Sequence, residues 1–193
     1  MDATMPERWS ASSAFPDMWV EPDVDPREDH PPITDERSNL TAYLKAYRTT
    51  LELKCEGLDA AALAQRSVPP SDLSLLGLVR HMAEVERYWF REVLGGERTP
   101  ARYRLDDDRD ASFAGALGEP DVVAEAFAAW RDEIAFADDL VGRTEDLSTR
   151  GEMPGRARSI SMREVLLHMV EEYARHCGHA DLLRERIDGR IGQ

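Results

Sequence analysis

Residues 161–189 read SMREVLLHMVEEYARHCGHADLLRERIDG. Val165, Leu166, Met169, Tyr173, Ala180, Leu183 and Ile187 form one stripe at helical spacing, as expected for a helix with one apolar face. Ser161 and Glu164 make a Ser-x-x-Glu capping box at its start, and Gly189 marks its end. Along the flank of that stripe, residues 168–179 hold three of the chain's five histidines, with carboxylates between them.

The same periodicity recurs three times upstream. Leu40, Leu44, Tyr47 and Leu51 define a helix with Thr34 as candidate cap, Asp35 and Glu36 in its first turn, and an end near Gly57. A short helical turn in LDAAALAQR precedes Pro69-Pro70. Ser74 opens a second long helix, SLLGLVRHMAEVERYWFREVL, which stops at Gly95-Gly96. Its stripe is Leu75, Leu78, Val79, Met82, Val85, Trp89 and Val93. A long polar loop follows, including the run DDDRD at 106–110, which reads as solvated. Pro120 then opens a third helix, with Val122, Val123, Ala126, Phe127, Trp130, Ile134, Leu140 and Val141 as core candidates. A glycine-rich, basic loop, STRGEMPGRARS, leads to the last helix, and no segment reads as a strand. Four long helices over residues 34–190 predict an all-α, antiparallel four-helix bundle.

Residues 1–33 differ in kind. They are acidic and hold more than half of the chain's eleven prolines, which excludes a regular helix and favours an extended or disordered arm. Trp9, Phe15 and Trp19 are the means by which such an arm can be pinned to the bundle, and His30 reads as solvated.

Composition narrows the function classes. A chain of 193 residues, 42% of them hydrophobic, is long enough to bury a core as one domain. A formal charge of −14 opposes nucleic acid and anionic membranes as partners. No apolar run is long enough to span a bilayer, and the first residues lack the apolar core of a signal peptide. Two cysteines, Cys55 and Cys177, give no disulfide framework, so a reducing, cytoplasmic setting is expected. Cys177 falls on the core side of its helix. Nucleophile-elbow, P-loop, dinucleotide and HExxH signatures are all missing.

The histidine-rich flank is therefore the main chemical signal. His168, Glu172, His176 and His179 project into one arc, and residues 172 and 176 stand one turn apart. His81 holds a similar flanking place on the second helix. Two readings fit this spacing: a polar helix edge, or a metal site built from facing helices. His81, Glu172 and His176 would give three ligands and one open position, the catalytic arrangement of zinc.

Three segments, TDERSNLTAYLKAYRTTLELKCEGL, SVPPSDLSLLGLVRHMAEVERYWFREVLGGE and LHMVEEYARHCGHADLLRERIDG, resemble the DinB-like superfamily. More narrowly they resemble its actinobacterial branch once labelled mini-circle proteins, related to the mycothiol-dependent maleylpyruvate isomerases. The resemblance implies a four-helix bundle with a divalent metal, zinc or alternatively nickel, held by His81, Glu172 and His176. Relatives often carry two histidines in the last helix, and Glu172 replaces the first of them here. His179 stands where they have a glutamine, and Cys177 where asparagine is expected. His168 is placed to orient the Glu172 carboxylate.

The resemblance also implies a small-molecule substrate and a low-molecular-weight thiol such as mycothiol. The leading expectation is a metal-dependent thiol S-transferase or isomerase whose metal-bound thiolate attacks an electrophile. Metal-assisted hydrolysis, with Glu84 or His179 as proton acceptor, is the second. A non-enzymatic, dimeric bundle binding metal or a small ligand is the third, and exposed apolar positions on the helices are compatible with a homodimer.

Overall fold

The computed structural model describes residues 6–13, 15, 17–103 and 111–193; the acidic run at 106–110 lies outside them. The long helices are α1 (Glu36–Cys55), α3 (Leu75–Glu86), α5 (Pro120–Arg143) and α6 (Met162–Asp188), with single turns α2 (Ala60–Leu63) and α4 (Ala111–Ala114) between them. α1 lies along α6, α3 lies along α5, and α3 also meets α6. The shared core includes Leu51, Leu75, Met82, Trp130, Val165, Met169 and Tyr173. The expected all-α bundle is what the chain forms. Among the described residues, no helix is long and apolar enough to cross a membrane.

The helix ends follow the sequence closely, with one shift. Ser161 and Glu164 bond reciprocally as a capping box, and Gly189 ends α6 in the left-handed region at φ 80°. Pro120 opens α5. The cap of α1 is Asp35 rather than Thr34: its carboxylate accepts from the Ser38 N–H, and the Ser38 hydroxyl accepts from the Asp35 N–H. An acid that can close such a box satisfies two orphan groups where the Thr34 hydroxyl would satisfy one.

The second long helix changes character halfway. From Arg87 to Leu94 it is a π-helix, closed by a hydrogen bond from the Gly95 N–H to the Phe90 carbonyl (2.8 Å). A π turn holds more residues than an α turn, so the inward face rotates. Phe90 and Glu86 become fully buried, while Val85 and Trp89, expected in the core stripe, end half-buried on the flank.

Two short strands also appear where no strand was expected: β1 (Arg150–Glu152) pairs antiparallel with β2 (Ser159–Ser161), Gly151 opposite Ile160. Three residues per strand are too few for alternation to show. Met153, Pro154, Gly155 and Arg156 make the turn between them. The Arg156 N–H donates to the Met153 carbonyl (3.1 Å) and Gly155 sits at φ 70°, the residue types of a type II turn. Gly151 lets the hairpin press against the π-helix, because a Cβ there would stand 2.1 Å from the Val93 carbonyl oxygen.

The N-terminal segment crosses the end of the bundle. Short 3-10 turns open at Pro22 and Pro26. Trp9 bridges Arg190 in parallel, its N–H donating to Gly189 O and its carbonyl accepting from Ile191 N–H, both 2.9 Å. Trp19 is the pin: it is 1% exposed, with Lys54 and Arg190 each 3.8 Å from its ring. Phe15 is exposed, and His30 is partly so.

Candidate metal centre

α3 supplies His81, and α6 supplies Glu172 and His176 one turn apart. The packing of α3 against α6 brings them together, so that one ligand atom from each lies within 4.8 Å of the other two. His176 is buried, and the other two are partly so. His176 Nε2 stands 3.6 Å from Glu172 Oε2, inside ion-pair range and too long for a hydrogen bond. The His81 and His176 rings meet edge to face at 4.7 Å, and the His81 ring also stacks on Phe113 at 5.5 Å.

Burial pushes the His176 imidazole down to about 3, helped by the nearby His81, His179 and Arg175. A ring held neutral at pH 7 keeps the lone pair that a metal ligand needs. His179 Nδ1 lies 3.3 Å from His176 Nδ1, close enough to fix which nitrogen of His176 carries its proton. His168 Nε2 lies 3.5 Å from Glu172 Oε1, on the side away from His176, and its ring meets Trp89 edge to face at 4.9 Å. Two imidazoles and a carboxylate suit zinc or another borderline divalent ion. The donor set present fits such an ion.

Beside the triad opens a cleft of about 700 Å³ that reaches His81 and His168. Val85, Tyr88, Trp89 and Leu167 supply apolar wall, and Arg156 and Arg158 of the hairpin stand at its rim. The π-helix is what faces Tyr88 and Trp89 toward this space. Glu84 lines it as well, but both carboxylate oxygens are engaged: one by Arg87 Nε (2.7 Å), the other by the N–H groups of Arg102 (2.7 Å) and Tyr103 (3.1 Å). His81, Glu172, His176 and His179 thus converge, while Glu84 stands apart as an anchor for the following loop. Trp89 was expected in the core stripe rather than at a cleft, and Arg156 and Arg158 were not singled out from the sequence. The signal available for the arginines was a Pro-Gly turn followed by two cations in a strongly acidic chain.

The cysteines lie elsewhere. Both are buried between α1 and α6, and burial pushes each thiol up to about 12. At neutral pH neither is a nucleophile.

Comparison with known proteins agrees with this architecture. No curated protein matches the chain. Among solved structures, a conserved protein from Enterococcus faecalis superposes with a TM-score of 0.56 at 13% identity, covering 80% of this chain and 98% of the other. That likeness concerns the fold. A family model described as mycothiol-S-transferase matches residues 39–189, from the first turn of α1 to the glycine that caps α6. With most of its length matched, this chain belongs to the mycothiol-S-transferase family of the DinB-like superfamily.

Proposed function

We propose that the protein is a metal-dependent transferase or isomerase that adds a low-molecular-weight thiol, mycothiol, to a small electrophile. The convergence of His81, Glu172 and His176, in a chain of this family, is the observation that carries the reading. These three residues would hold zinc or a similar divalent ion, which supplies Lewis acidity and makes a sulfur ligand nucleophilic at neutral pH.

The rest of the chemistry belongs to the chain. The sulfur comes from outside, because Cys55 and Cys177 are buried and protonated. His176 stays neutral and points one nitrogen toward Glu172, while His179 holds the proton on the other. With its Nδ1 accepting there, a neutral His179 has no second lone pair for the proton the thiol gives up, which goes to water. Glu84 would have to release Arg87 and two amides to accept it, so its role is to hold the cleft wall. In transfer, a sulfur–carbon bond forms, the bond to the leaving group breaks, and that group departs with the electron pair. Tyr88, Trp89 and Leu167 seat the electrophile and displace water from the reacting carbon.

Metal analysis of tag-free protein is the direct test, beside a His81→Ala/His176→Ala variant. About one divalent ion per chain is expected, lost in the variant together with mycothiol conjugation to a chloronitroarene. Full metal content and full conjugation in His176→Ala would sink the reading.

A further inference from the structure

Three arginines and three glutamates line the cleft beside His81. Four of these six charges are already committed. Arg87 is held by Glu84, Glu92 and Thr99. Glu164 closes the capping box with Ser161, and Glu171 meets Arg175 and His168. Arg156 and Arg158 differ: both are exposed, and among the described residues neither guanidinium has a hydrogen bond or an ion pair. Arg158 acts on its surroundings only through space, as one of the lesser charges, after the Ser161 hydrogen bonds, that keep the Glu164 carboxyl low.

Their position is set by structure. They follow the type II turn at Pro154-Gly155, in a hairpin anchored by the buried Met153 and Ile160 and pressed against the π-helix through Gly151. In a chain of net charge −14, two uncommitted guanidiniums at one cleft rim make a local anion attractor. Guanidinium is also the side chain best shaped to grip a carboxylate with two parallel hydrogen bonds. Below them the wall is apolar and aromatic, formed by Val85, Tyr88, Trp89 and Leu167, and it leads to His81.

We propose that the electrophile is an organic carboxylate, its apolar or aromatic body seated on Trp89, Tyr88 and Leu167 and its anionic end held by Arg156 and Arg158. This deepens the transferase reading and rests on it for the fate of the bound molecule; the anion site stands on the cleft alone.

The test separates the two. Titration calorimetry on the full chain compares 4-methyl-3-nitrobenzoate with its amide, an unreactive pair of the same shape and different charge. The benzoate binds about tenfold more tightly, the margin narrows with salt, and Arg156→Ala/Arg158→Ala abolishes it without lowering the melting temperature. Equal binding of the two probes, no binding of either, or a margin that survives in the variant overturns the anion site; the last outcome would place the carboxylate on a metal instead.

A second measurement follows mycothiol with 4-chloro-3-nitrobenzoate, where the sulfur–carbon bond forms, the carbon–chlorine bond breaks, chloride leaves with the electron pair and the thiol proton goes to water. The variant raises KM for this anion about tenfold and leaves KM for the matching amide unchanged. A binding margin without any conjugation would end the transferase reading and leave the anion site standing.

Discussion

Two polar clusters draw on both α3 and α6, and they are built in opposite ways. In the first, Arg48 of α1 grips Glu86 with two hydrogen bonds of 2.7 and 2.8 Å. The Tyr173 hydroxyl donates to Glu86 (2.8 Å) and accepts from the Trp130 indole (2.8 Å). Each of these side chains is hydrogen-bonded at 2.7–2.8 Å. In the second, five residues earlier on α3 and next to Tyr173 on α6, Glu172 stands 3.5–3.6 Å from the rings of His168 and His176. Arg175 also stands 3.6 Å from Glu172, and none of these contacts is as short as those of the first cluster. A closed network holds helices together, and the open one is where the proposed ion would sit.

The sharpest way to break this contrast is to remove ligands. His81→Ala/His176→Ala should bring metal content to background by mass spectrometry, while the unfolding free energy of metal-free protein in urea changes by less than about 1 kcal/mol. Glu86→Ala should do the reverse. It leaves the Arg48 guanidinium buried without its main partner, at a cost of about 3–5 kcal/mol in urea denaturation, with metal content per folded chain unchanged. Loss of metal in Glu86→Ala at full stability would show that the closed network serves the open one.

Acid probes the open cluster through His176. Its pKa of about 3 in the folded chain lies below its ordinary 6.5, so the unfolded chain takes up the proton first. The stabilisation is whole above pH 6.5 and shrinks as pH falls toward 3. Metal-free protein should therefore lose at most about 2 kcal/mol more than His176→Gln between pH 7 and pH 5. Equal losses in both proteins would mean that the ring is not held neutral. The smallest effect belongs to His179→Ala. Without its contact to His176 Nδ1, metal affinity in a competitive chelator titration should weaken about tenfold, with stoichiometry kept.

The bundle was legible because its signals are local. Seven apolar positions in α6, the Ser161–Glu164 box, Gly189 and Pro120 each depend on neighbours within a turn or two. The carboxylate-histidine pair at 172 and 176 was legible for the same reason. The hairpin was not: three-residue strands carry no period, and what makes them pair is the close approach of Gly151 to Val93. Trp89 was misplaced because the change from α to π turns is written in how Phe90 packs, not in the order of residues.

By itself the sequence determined the four long helices, most of their caps, the pairing of Glu172 with His176 one turn apart on α6 and the burial of Cys177, all matters of spacing along one helix. Only the tertiary structure decided the rest: His81 meets Glu172 and His176, Trp19 fastens the N-terminal segment over Lys54 and Arg190, and Arg156 and Arg158 reach the cleft rim. Periodicity fixes which face of a helix is apolar, whereas which faces meet depends on the packing of every side chain between them.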